Sequence, residues 1–456
     1  MPKGPPPNVL VISVCSIRAD HVSFNGYRRD TMPNLAKLAA DSVIFDRAMT
    51  QWPKTVPAVS ALLTGRYGHS TGVMRSTIGQ HLADEEVTIG EHFRDHGYST
   101  AAFISSSALH AANNLFQQGF DRVEETYREP KPYAATTSRA LQWVKKQKRP
   151  FFLWVHYNNA HQPYLAPDAP PNLFVDDQFY DKTVRIPLNE NDEMDLDVPK
   201  DHPFRMQIVR ADMNGVRREA RLKERPDELA FYVARYDAGI YGADRRIGEL
   251  LDGLKPLLEK TIVVFVGDHG EALGEQGYYF GHGRLPYDAV VHVPLMIKPL
   301  GGGKGRHVSQ PVPSFSLFPT LAEMAGLPEP KTAESPSLAP LVRNDGPAPQ
   351  HVFGEAGYAI EFQTAVRDAR WKLIRVPDPI DRQLMTGSEF ELYDMNADPG
   401  ETKNVFTQHP DEARRLQKVL LNWTRTWRDK PHGAKSQPQN IDPETEKQLR
   451  ALGYIQ

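Results

Sequence analysis

Short apolar runs and longer stretches of helical character take turns along most of this chain. Val9 to Val14 is rich in β-branched residues and too short for a buried helix, so it predicts a buried strand. Val43-Ile44-Phe45, Phe151–His156 and Ile262–Val266 share that character, the last ending at Gly267-Asp268. Between these runs the spacing changes. Thr31 to Ala40 predicts a helix with Pro33 in its first turn. Val59–Leu63 predicts another, beginning after Thr55 and stopping near Gly65. Strands alternating with helices imply an α/β fold, with a mainly parallel sheet between helices. Near the end, Thr364–Arg367 and Trp371–Arg375 predict antiparallel strands, and Pro410–Trp427 a helix packed on them. The expected organisation is therefore a large domain over 1–340 and a small C-terminal α+β domain over 350–456.

Two stretches interrupt the alternation. Residues 167–227 hold Asp176-Asp177, the run Asn189-Glu190-Asn191-Asp192-Glu193 and many arginines. They predict an insertion or lid over the site, or else a solvated surface excursion. Pro328–Pro349 is rich in proline and predicts a linker. Gly301-Gly302-Gly303-Lys304-Gly305 lacks the Gly-Lys-Ser/Thr ending of a phosphate loop. No internal repeat is present.

Composition narrows the function classes. A chain of 456 residues buries a large core. A formal net charge of -3 supplies no basic field for nucleic acid. Mean hydropathy is -0.51, and no run approaches the roughly 20 apolar residues of a membrane span. The first strand starts within a few residues of Met1, leaving no room for a signal peptide; cytoplasmic residence is expected if Met1 is the true start. Cys15 is the lone cysteine, which excludes an intrachain disulfide and a CxxC zinc module.

In folds of this class ligands bind beyond the carboxyl ends of the strands. Cys15, His161 and Asp268 each follow a predicted strand, so topology groups them. A helix beginning after Thr55 turns its N-terminal amides toward that hydroxyl, a sensible place for a tetrahedral oxyanion. The plain alternative for Thr55 is a helix N-cap.

The stretch Thr55-Val56-Pro57-Ala58-Val59-Ser60-Ala61-Leu62-Leu63-Thr64-Gly65-Arg66 resembles the active-site signature of the sulfatase family, in the alkaline phosphatase superfamily. Pro7–Val14, Ile17-Arg18-Ala19-Asp20-His21, Met32-Pro33-Asn34-Leu35 and Gly97–Phe103 match further family segments in order. So do Val266-Gly267-Asp268-His269-Gly270-Glu271, Gly281-His282-Gly283, Val293-Pro294-Leu295, Trp371-Lys372-Leu373, Glu391-Leu392-Tyr393-Asp394 and Leu449–Tyr454. The resemblance covers nearly the whole chain. It implies a sulfatase-like hydrolase of sulfate or phosphate esters, dependent on one divalent ion (Zn, Ca, Mn or Mg), acting on a small anionic ester. The family signature usually opens with a Cys or Ser that is oxidised to formylglycine, the nucleophile. Thr55 stands there in this chain, and the methyl group on its Cβ blocks that aldehyde, so no formylglycine is expected.

The resemblance also distributes roles. Thr55 matches the nucleophile. Asp268 and His269 match the metal pair. Cys15 falls where relatives carry an acidic metal ligand, and Ser16 where many carry a second Asp. Cys15 therefore either makes a softer, zinc-type site or marks the loss of metal. His161 matches the His of an Asp-Pro-His motif that contacts ester oxygens, with Asn159 replacing the Asp. His282 matches a donor to the oxyanion or leaving group, suited to acid work near neutral pH. The family's Arg is Val59 here; Lys54 is the nearest substitute charge. Its catalytic Lys and His are missing from the stretch at Ser105-Ser106-Ser107. Arg18 either positions the anion or forms a structural ion pair. Asp20 is a turn carboxylate or an extra ligand, His156 a core residue, and His69 lies at a helix exit. Two functional readings follow: an ester hydrolase using Thr55, or a degenerate member that binds an anion without turnover.

Overall fold

A computed structural model describes residues 5–74, 82–111, 117–162, 164–186, 227–357, 362–377, 379, 382 and 386–428. Its frame is a nine-stranded sheet. The strands are β1 (Asn8–Val14), β2 (Val43–Met49), β3 (Ser99–Ile104), β4 (Arg122–Glu125), β5 (Phe151–Tyr157) and β6 (Thr261–Gly267). A hairpin of β7 (Ala272–Leu273) and β8 (Tyr279–Gly281) follows, then β9 (His292–Lys298), β10 (Arg306–Val308) and β11 (Val312–Pro313). The spatial order is β10-β2-β9-β6-β1-β5-β3-β4, with β11 beside β2. Every pair is parallel except those that β9 makes with β2 and β6. The sheet is thus mainly parallel, as the apolar runs imply.

β1 lies at the centre, and its alternation sorts the two cores. Leu10, Ile12 and Val14 join the core under α1 (Pro33–Ala39) and the helices Pro132–Val144 and Leu229–Leu254. Val9 and Val11 face the other way, into a core shared with α2 (Thr55–Thr64) and the helix Leu317–Met324. On that second face β5 contributes Phe152 and Trp154, and β6 contributes Ile262, Val264 and Val266. Side chains alternate along a strand, so Ser13, Cys15, His156 and Asp268 continue the rows that point toward α2.

The long helix Leu229–Leu254 fixes the loop after β1. The Tyr236 hydroxyl donates to the Ser16 carbonyl (2.7 Å) and accepts from the Arg18 amide (3.0 Å). Asp244 on the same helix caps α1, accepting from the Asn34 and Leu35 amides at 2.9 Å each.

A second sheet is antiparallel, with order β12 (Val352–Ala356), β13 (Gln363–Arg367), β14 (Trp371–Arg375) and β15 (Phe390–Asp394). The helix Pro410–Arg428 covers it through Ala413, Leu416 and Leu420. Lys372 of β14 ties this sheet to the main body, reaching Asp288 (2.8 Å) and Glu401 (2.7 Å).

The proline-rich segment 328–349 is not an open linker. Leu338, Leu341 and Val342 are buried in the α2-face core, because Ala339–Arg343 forms a short helix that packs there. Of the stretch expected to be a lid, 187–226 lies outside the described residues. Residues 167–186 are docked on the main body: Asp177 pairs with Arg29, Asp168 with Arg246, and the Ile186 amide donates to the Asp227 carbonyl (2.7 Å).

Candidate active site

Thr55 is the first residue of α2, and Lys54 occupies the N-cap position. The N-cap alternative for Thr55 is therefore set aside. Its hydroxyl lies 3.0 Å from His269 Nε2 and 3.4 Å from Cys15 Sγ. The His269 Nδ1–H donates to the Gly270 carbonyl (2.8 Å). That bond leaves the Nε2 lone pair directed at Thr55, and the threonine hydroxyl donates to it.

Cys15 follows β1, and its amide donates to the Tyr157 carbonyl (2.9 Å). The next residue, Ser16, has φ 57. This left-handed bend, held by Tyr236, aims the Ser16 amide at Asp268 Oδ1 (3.0 Å). The His269 amide reaches the same oxygen at 2.6 Å. Asp268 Oδ2 is buried and makes no hydrogen bond among the described residues; His269 Nε2 stands 3.7 Å away. Burial pushes the Asp268 carboxyl up to about 7, against the Ser16 and His269 amides and the neighbouring Cys15 thiol, which favour its charge. The Cys15 thiol is pushed well up, by burial first and then by the Asp268 carboxylate beside it.

Glycine is needed at two positions here for space. A side chain at Gly270 would strike the Ala289 carbonyl, and one at Gly267 would meet Ile17 at 2.8 Å. Neither glycine has positive φ, so close approach of backbones, not a left-handed bend, explains them.

Three imidazoles meet beyond Thr55. The His282 ring lies 4.3 Å from that of His269 and 5.3 Å from that of His161, between ring centres. The β7–β8 hairpin carries Glu271 before its first strand and His282 after its second, and brings His282 Nδ1 to 3.2 Å from Glu271 Oε1. Burial pushes Glu271 up to about 8, although His161, Tyr164, Arg18 and Lys54 all oppose the rise. Burial also lowers all three histidines, and Lys54 lowers each one further. Neutral imidazoles and a lysine are thus gathered where an entering anion would favour protonation.

Cys15, Thr55, His161, Asp268, His269 and His282 are brought together. Several other candidates stand apart. Asp20 binds Arg18 through both oxygens (2.9 and 2.8 Å), and Arg18 also pairs with Glu275 (2.6 Å). Arg18 thus takes the structural ion pair, and Asp20 is its partner. His69 pairs with Glu355 (2.6 Å) and stacks on Tyr67, which ties it to the second sheet. Val59 sits in the α2-face core, so no charge stands where relatives have their Arg. Ser105 is spent on the sheet: its amide and hydroxyl both donate to the His156 carbonyl (3.1 and 2.9 Å). Sequence reasoning assigned no role to Glu271, although it stands in the same motif as Asp268 and His269.

A divalent ion fits this donor set only in part. A hard ion such as calcium wants six or more oxygens, and the strand ends offer one carboxylate, a thiol and imidazoles. That mixture suits zinc or a similar soft ion. The orphaned Asp268 Oδ2 is the open valence. A sulfur, an imidazole and a carboxylate from Cys15, His156 and Asp268 lie within 4.8 Å of one another.

Comparison with known proteins gives the family and the fold. The family model described as Sulfatase matches residues 7–327. One described as N-sulphoglucosamine sulphohydrolase, C-terminal, matches residues 274–426. Arylsulfatase K of Gallus gallus is 26% identical, across 91% of this chain and 82% of its own length. The Delta 4,5-hexuronate-2-O-sulfatase of Bacteroides thetaiotaomicron is 24% identical, across 88% and 84%. The phosphonate monoester hydrolase from Silicibacter pomeroyi superposes with a TM-score of 0.73 at 22% identity, over 95% of this chain and 100% of that one. No helix among the described residues is long and apolar enough to cross a membrane. With the Sulfatase family model spanning residues 7–327, most of its length, this chain belongs to the sulfatase family.

Proposed function

We propose that this chain hydrolyses small anionic esters, of sulfate or of phosphate and phosphonate, with Thr55 as nucleophile. The observation that carries the reading is the 3.0 Å hydrogen bond between Thr55 and a His269 whose other nitrogen is held by the Gly270 carbonyl. A nucleophile, a base and a group orienting that base form the arrangement that activated hydroxyls require.

Thr55 Oγ1 attacks sulfur or phosphorus while its proton passes to His269 Nε2. The bond to the leaving oxygen breaks on the far side, and that oxygen takes a proton from the His161–His282 pair. Lys54 and the α2 amides face the non-bridging oxygens. Glu271 holds His282 in place. Water then attacks the threonyl ester at sulfur or phosphorus and restores Thr55. A formylglycine hydrate could expel the group through its second hydroxyl; threonine has none, so this second hydrolysis is obligatory. A divalent ion held by Cys15 and Asp268 would polarise the attacked centre. One lone pair on His269 serves Thr55 or an ion, not both at once. The relatives act on esters of both kinds: two are named as sulfatases, and one as a phosphonate monoester hydrolase.

The test is a panel of activated aryl sulfate, aryl phosphate and phenylphosphonate esters, with wild type and Thr55→Val, each supplied with zinc. Turnover of at least one ester by wild type, reduced to the buffer rate in Thr55→Val, supports the proposal. Equal rates in both proteins would remove Thr55 from the chemistry. No turnover of any ester would return the binding-protein reading to first place.

A further inference from the structure

His156 was expected to be core, and its Nε2 is the anomaly of that core. The residue is fully buried in β5, one strand from Cys15. Its Nδ1 sits 2.8 Å from Ser13 Oγ, which also accepts from Trp154 Nε1 at 2.8 Å. Its Nε2 has no hydrogen-bond partner among the described residues. Neither has Asp268 Oδ2. Two orphaned polar atoms and one thiol therefore converge beneath the strand ends. Register explains why: β5, β1 and β6 are adjacent and parallel, Ser13 pairs with both His156 and Val266, and the three donors project on the same face.

From this juxtaposition we infer that the divalent ion binds inside the sheet edge, on Cys15 Sγ, His156 Nε2 and Asp268, and that His269 is left free to serve Thr55. The inference rests on the hydrolase reading for the role of His269, but not for the ion site. One donor atom from each of the three residues lies within 4.8 Å of the other two; His269 Nε2 is also near, 3.9 Å from Cys15 Sγ and 3.7 Å from Asp268 Oδ2, but it already accepts from Thr55 at 3.0 Å. A tetrahedral zinc site has donor separations of roughly 3.5 Å, so closure needs about an ångström of side-chain movement. Ser13 supplies the outer partner: with an ion on Nε2, His156 Nδ1 keeps its proton and donates it to Ser13 Oγ. The thiol selects a soft ion, so zinc or cobalt binds in preference to calcium or magnesium.

The experiment is a titration of chelator-treated full-length protein with Co²⁺, followed by absorption. Wild type is expected to bind one Co²⁺ with a thiolate-to-cobalt charge-transfer band that vanishes in Cys15→Ser. His156→Asn keeps a polar atom facing Ser13 but removes Nε2. It is expected to lose about a hundredfold or more in affinity, since even outer partners of a ligand cost about 10- to 100-fold. His269→Gln is expected to keep wild-type affinity and spectrum while losing ester hydrolysis. If His156→Asn binds Co²⁺ as wild type does, or if His269→Gln loses the band, the ion does not sit where we place it. X-ray absorption of the zinc-loaded wild type guards against a misfolded variant: a metal shell without sulfur, or without imidazole, overturns the inference. Absence of hydrolysis in every protein would sink the proposed function and leave these binding results standing.

Discussion

Replacing Cys15 with Asp puts a carboxylate where relatives of this chain carry one, and the structure fixes the consequences. The thiol is fully buried beside the Asp268 carboxylate, 3.4 Å from Thr55. In metal-free Cys15→Asp two carboxylates share a dry site, with Asp268 Oδ2 already lacking a partner. An uncompensated buried charge costs about 3–5 kcal/mol, and protonation of one carboxyl sets that as an upper bound. A hard ion then has two carboxylates to bind. At a hundred times its dissociation constant it returns about 2.7 kcal/mol. Metal-free Cys15→Asp should therefore melt well below metal-free wild type, and Mn²⁺ or Ca²⁺ should recover most of the difference. Zinc should stabilise wild type more than the variant, because the thiolate is gone. Thermal unfolding of both proteins, metal-free and with each ion, reads all these terms. If the metal-free variant melts with wild type and no ion shifts either protein, Cys15 is a packed core residue and the ion site fails.

Two other substitutions probe separate parts of the account. Lys54→Met removes the cation that acts on His161, His269 and His282; kcat/KM for an anionic ester should fall at least about tenfold, with little change in melting temperature, and an unchanged ratio would exclude Lys54 from anion binding. Lys372→Met strands Glu401, whose side chain is 2% exposed, while Asp288 keeps its pair with Arg367; urea unfolding should show a loss of about 3–5 kcal/mol, and a loss below about 1 kcal/mol would mean the pair does not hold the second sheet to the first.

Much of this was legible in the residues. Apolar runs of strand length located β1, β5 and β6, and Gly65 marked the end of α2 because its left-handed φ of 67 suits glycine. Thr55, Asp268 and His269 followed from motifs in sequence order. What was not legible depended on register. Strand alternation assigns His156 to a face, but only pairing with β1 sets its depth beside Cys15 and Asp268. Glu271 was hidden for a related reason: the contact with His282 is made by a hairpin whose turn is not marked by spacing. The proline-rich 328–349 misled because composition reports backbone stiffness, whereas Leu338 and Leu341 decide where the segment packs.

The central claim is that Thr55 itself carries the transferred group. Rapid acid quench during turnover of an aryl phosphate, followed by peptide mapping, tests it directly. A phosphoryl group on Thr55, with the unreacted peptide showing an intact threonine and no aldehyde, is the expected result. A phosphoryl group on another residue, or an aldehyde at position 55, would contradict the account.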